Sequence, residues 1–65
     1  MTYEQWKLEL ICLIVDETRV RGMRYKLDEI NCVLNDDCDY PKSYADGETP
    51  EYVWQGEIDA IAASQ

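Results

Sequence analysis

A chain of 65 residues lies at the small end of what folds alone, and its 46% hydrophobic content argues for a globular core and against a disordered polyelectrolyte. The formal net charge of -8 and pI near 4.1 make naked DNA, RNA and anionic membrane surfaces poor partners and favour basic ones. The longest apolar run, Leu10 to Val15, is far short of the roughly 20 residues that span a bilayer.

The first element opens at Thr2. Thr2 and Gln5 stand three apart, the spacing of a capping box in which each side chain satisfies the other's backbone N–H. The spacing predicts a helix with Tyr3, Trp6, Leu10 and Leu13 on one stripe and Leu8, Ile11 and Val15 on an adjoining one. Its end is expected near Gly22, with Arg19 and Arg21 against the negative C-terminal end. Between Leu10 and Val15 the helix is apolar all round, so burial is expected on more than one side, as the central helix or against a second chain. Cys12, inside this run, reads as a small core residue.

The second helix is read from Met23, Leu27, Ile30 and Leu34, with Val33 beside them. Asn35-Asp36-Asp37 stops it, Asn tolerating the left-handed conformation that ends helices. Residues 35–49 form a long connection with a short helical turn starting at Pro41. Thr49-Pro50-Glu51 then supplies an N-cap, a proline at the first helical position and an acid in the first turn. The helix that follows carries Trp54, Ile58 and Ile61 on its stripe with Val53 alongside. Gly56 costs it about 1 kcal/mol relative to Ala and is read as permitting a close helix crossing. The expected fold is all-α: one compact three-helix domain over 1–65, with an extra turn in the 35–49 loop. Its expected core is Trp6, Leu10, Leu13, Ile14 and Leu27, with Ile30, Leu34, Trp54, Ile58 and Ile61.

Little in the chain suits catalysis. With no histidine, the commonest general base and metal ligand is missing. Acid pairs such as Asp36 with Asp37 or Glu57 with Asp59 would need a cleft with one carboxyl held in an apolar pocket. Cys32 and Cys38 are too far apart in sequence for the close pair of a zinc module and lack further ligands, so the three cysteines read as free thiols. Together with the lack of a recognisable signal segment they point to a reducing, cytoplasmic compartment. Asp37, Asp39 and Glu48 match three EF-hand positions, but Pro41 and Lys42 fall where the calcium loop must turn. Acyl carrier proteins carry an Asp-Ser-Leu tripeptide that is missing here. No metal and no cofactor is expected.

Charge is distributed in two parts. Residues 1–26 hold four acids and five bases, whereas residues 27–65 hold ten acids and one base, Lys42. This exceeds what solubility alone needs. Carboxylates at helical spacing lie about 5 to 6 Å apart, close to the spacing of phosphates along a strand, and suit an Arg/Lys groove made for nucleic acid. The partner-binding surface is therefore expected at Asp36, Asp37, Asp39, Asp46, Glu48 and Glu51, with nearby Glu57 and Asp59. Tyr40 and Tyr44 are expected to add the aromatic contacts that interfaces favour.

In size, acidity and helical make-up the chain resembles the small phage-encoded inhibitors of bacterial defence, anti-CRISPR proteins in particular. The resemblance covers the character of the whole chain and no motif, so it transfers no residue. It implies a non-enzymatic inhibitor that occupies the basic groove of a nucleic-acid-binding complex, such as a CRISPR effector, without touching nucleic acid or membrane. The alternative is a structural or regulatory module that self-associates through the first helix as a homodimer.

Overall fold

Thr2 caps the first helix as the sequence predicts: its Oγ1 accepts from the Gln5 N–H at 3.2 Å, and Gln5 Oε1 accepts from the Thr2 N–H at 3.1 Å. The structure, a computed structural model, describes residues 1–18 and 23–63. Among these it is all-α, with α1 (Tyr3–Asp16), α2 (Met23–Leu34), α3 (Tyr40–Ala45) and α4 (Pro50–Ala63). The short α3 is the helical turn expected in the connection. No helix among the described residues is long and apolar enough to cross a membrane.

The helix α1 is central. It packs against α2, α3 and α4, and its Trp6, Leu10 and Ile14, at i, i+4 and i+8, are buried with Val33, Tyr40, Trp54 and Ile58. Tyr3, Ile11, Leu13, Ile30 and Ile61 pack against this cluster from its edges. The run from Leu10 to Val15 is not enclosed all round, because Cys12 and Val15 are exposed, as is Leu8. Cys12 is thus not a core residue.

α1 ends earlier than expected. Glu17 leaves the helical conformation (φ -71°, ψ 125°) to become its C-cap. Its buried carboxylate accepts from Trp54 Nε1 at 3.2 Å, which draws the chain off the helix axis toward α4. Gly22, Arg19 and Arg21, expected to end this helix, lie outside the described residues. Among the described residues the α1 C-terminus is complemented by Lys26 of α2, whose Nζ donates to the carbonyls of Val15 and Glu17.

α2 turns a different face inward from the one its apolar spacing predicts. Val33 is buried, whereas Leu27 and Leu34 are 53% and 56% exposed. Lys26 and Glu29 take half-buried places on the packed side because each has an interior partner. Lys26 binds the end of α1, and Glu29 accepts from the Tyr40 hydroxyl at 2.8 Å. Leu27 and Leu34 therefore leave the expected core, and Val33 and Tyr40 enter it.

Thr49 caps α4 by accepting from the Tyr52 N–H at 3.1 Å, and Trp54 and Ile58 are buried as expected. Gly56 is not a crossing point: an added Cβ would meet nothing within 4 Å. Gly56→Ala is accordingly expected to raise stability by about 0.5 to 1 kcal/mol, read as a higher urea midpoint with unchanged slope. On α2, Val33→Ala should cost about 2 kcal/mol and the adjacent Leu34→Ala less than about 1 in dilute solution; equal losses would show that the packed face is misassigned.

Candidate acidic interface

The acidic segment is held in place by two helix ends of the same kind. Asp36, with φ 59°, ends α2: the Asp37 N–H reaches the Cys32 carbonyl at 2.9 Å and the Asp36 N–H reaches Val33 at 3.3 Å. This is a Schellman motif, and its left-handed residue is Asp36, one position beyond the Asn35 that the sequence favours. Gly47, at φ 81°, ends α3 likewise, with Glu48 N–H to Ser43 O and Gly47 N–H to Tyr44 O, both at 3.1 Å. Cys38 and Asp39 also have φ near 60°, at 58° and 59°, so the link from α2 to α3 is wound tightly. With α3 in its middle, the segment from Asp37 to Glu48 does not take the form of a calcium loop.

Aromatic rings dock this segment on the start of α1. Tyr44 lies 5.2 Å from Tyr3 and 6.0 Å from Trp6, centroid to centroid, and Tyr40 lies 6.3 Å from Trp6. Their polar tips are satisfied at the same time. Trp6 Nε1 donates to the Glu48 carbonyl at 2.8 Å, and the Tyr44 hydroxyl donates to the Met1 carbonyl at 2.7 Å. Tyr40 is 2% exposed. It is therefore a core residue and not an aromatic contact offered to a partner, and half-buried Tyr44 serves mainly to hold α3.

The expected carboxylates divide into three sets. Asp37, Asp39, Asp46 and Glu51 are exposed, with Asp39 and Asp46 at the two ends of α3 and Glu51 in the first turn of α4. Glu48 is half-buried and, with Asp46, Gly47, Thr49 and Tyr52, lines a shallow depression of about 470 Å³. Asp36 is exposed but tied inward: it accepts from the Tyr3 hydroxyl at 2.7 Å and from Lys7 Nζ at 3.1 Å. Those two bonds, Tyr3 first, hold its carboxyl below the usual range, while burial and then Asp36 push Tyr3 up to about 12.

Glu57 and Asp59 do not join one surface. At about 100° per residue they sit on nearly opposite sides of α4. Asp59 is exposed and accepts from Gln55 Nε2 at 3.0 Å, whereas Glu57 is half-buried. Burial, and then the charge of Glu29, raises the Glu57 carboxyl. The same region pushes Tyr25 up to about 12, by burial first and then by Glu29 and Glu57. Cys38 is also raised, to about 11, by its hydrogen bond with Cys32 and by burial. A thiol so strongly protonated is a poor nucleophile.

Sequence reasoning missed Glu9 and Asp16 of α1, which line a shallow groove with Glu51 of α4 over Leu8, Cys12 and Leu13. Their separation of seven residues, two helical turns, is the signal that places them on one side. No family model, curated protein or solved structure matches the chain. Among the described residues no group of three or more carboxylate or thiol side chains is placed to hold a metal ion.

The raised Glu57 carboxyl has a definite sign in stability. A carboxyl held above its unfolded-state value favours the folded chain only while protonated, so its ionisation opposes folding as pH rises through that window. Glu57→Gln is expected to raise the urea midpoint at about pH 7 and to leave it unchanged near pH 3, where the acid is protonated in both states. A loss of stability at the higher pH would show that Glu57 is needed as an anion.

Proposed function

We propose that the chain is a non-enzymatic inhibitor whose acidic side, around α3 and the start of α4, occupies the basic groove of a nucleic-acid-binding complex of the kind that anti-CRISPR proteins block. It would act in the cytoplasm of the host cell. The observation that carries this reading is the lack of neutralisation: the ion pairs among the described residues both use Lys7, with Glu4 and Asp36. Asp37, Asp39, Asp46 and Glu51 form no ion pair with another described residue, and Lys42 is the one base in the segment that bears them, so most of their field faces solvent until a basic surface arrives. Asp39 and Asp46 lie about 10 Å apart along α3, seven residues and so two turns from each other on one side of it. The segment that bears them is fixed by two helix caps and four aromatic rings, so little chain freedom remains to be lost on binding.

The decisive variant leaves Asp36 alone, since that residue is bonded to Tyr3 and Lys7. Asp37, Asp39 and Asp46 are replaced together by Asn, which also tolerates the left-handed backbone at position 39. Against a partner captured from the native host, the wild-type chain is expected to displace that partner's DNA or RNA, with association slowing steeply as salt rises. The triple variant should associate at least about tenfold more slowly while keeping its circular dichroism spectrum. Unchanged affinity together with an unchanged salt response would sink the acidic-surface reading.

A further inference from the structure

The side of the molecule formed by α1 and α2 has the opposite character. Two contacts set the register of this antiparallel pair: Lys7 Nζ meets Asp36 Oδ1 at 3.1 Å, and Lys26 Nζ meets the Val15 carbonyl at 3.5 Å. Between these ends, Leu8 stands level with Leu34 and Val15 with Leu27. All four side chains are more than half exposed. Half-buried Ile11 and Ile30 lie between the two rows and close the face into one apolar surface. Met23, 69% exposed, extends it at the start of α2.

We propose that this face binds a second copy of the chain, forming a two-fold contact of four helices in which α1 of each copy lies against α2 of the other. Area is the first argument. Five large side chains that are more than half exposed offer about 100 Å² each, so the face holds roughly 500 Å² of apolar surface, well toward the ~800 Å² per partner of a stable interface. That is toward the upper end of the largest patch on a typical monomer, roughly 300 to 600 Å², and patches of this size are often functional.

Charge is the second argument. Asp39 and Asp46, at the two ends of α3, and the acids of α4 belong to neither helix of this face, and the acids of α1 beside it, Glu9 and Asp16, lie toward α4 with Glu51. A two-fold axis parallel to the helices preserves height, so each α1 lies antiparallel to the α2 across the contact, as it does to its own. Helical spacing places Asp16 on the outer rim of α1 and Arg24 on the outer rim of α2. The axis brings these opposite charges to nearly the same height across the contact. An unrelated partner would not need this match within one sequence.

This surface is separate from the acidic one, and its test does not depend on that reading. Sedimentation equilibrium of the full chain is expected to show a mass rising from 7.6 kDa toward twice that value as concentration increases. Added salt should tighten the association, because it screens repulsion between like-charged copies. Leu8→Glu and Leu27→Glu, each at a position exposed in the monomer, should raise the dissociation constant at least about tenfold with unchanged circular dichroism. The Asn variant at 37, 39 and 46 should dimerise at least as well as the wild type. Exposed Cys12 stands one turn from both Leu8 and Val15 on α1, so its alkylation in the wild-type chain supplies a readout that does not depend on a variant's folding, and the rate should fall as concentration rises. A single 7.6 kDa species at every concentration, wild-type association in both Glu variants, or a constant Cys12 rate would overturn the proposal.

Discussion

Each of the other three described helices packs on α1, whose stripe of Trp6, Leu10 and Ile14 forms the core with their buried side chains. A helix whose neighbours lie on both flanks must bury a wide arc, and the apolar richness of residues 10 to 15 follows from that demand. The arc is not complete, however, and the outer side of α1 keeps Leu8, Cys12 and Val15 in solvent. Central position thus accounts for most of the apolar run but not for all of it.

Large side chains with polar tips finish what the aliphatic stripe begins. Trp6, Tyr40, Tyr44 and Trp54 each bury a ring and place a donor on an acceptor from another part of the chain. For a domain of this size such residues remove area from water while leaving no donor unmatched. They also explain how a connection rich in aspartate is kept in one conformation. Its backbone is wound by left-handed residues, and its tyrosines reach back to α1 and α2.

The local signals were legible in the sequence because they act over a few residues. The Thr2 capping box, the Thr49-Pro50-Glu51 start and the turn near Pro41 all depend on side chains near their own backbone. The packed face of α2 was not legible, since Lys26 and Glu29 read as solvent residues until Val15, Glu17 and Tyr40 are placed beside them. Leu27 and Leu34 had the stronger apolar spacing and still remained outside. Similar reasoning covers the acidic surface. Clustering in sequence picked out Asp37, Asp39 and Asp46, which are exposed, but it could not tell that Tyr40 between them turns inward, that Asp36 is bonded to Tyr3, or that Glu57 lies across α4 from Asp59.

The two tryptophans divide the molecule between them. Both indoles are buried, yet Trp6 is tied to the backbone of Glu48 beyond α3, and Trp54 to the carboxylate of Glu17 beyond α1. One ring therefore reports the docking of the acidic segment and the other the seating of α4 on the end of α1. Intrinsic fluorescence carries two local signals from opposite ends of one core, and with either indole replaced by phenylalanine the remaining one follows a single end. Coincident transitions from the two would mark the domain as one cooperative unit, whereas separated transitions would reveal which end opens first.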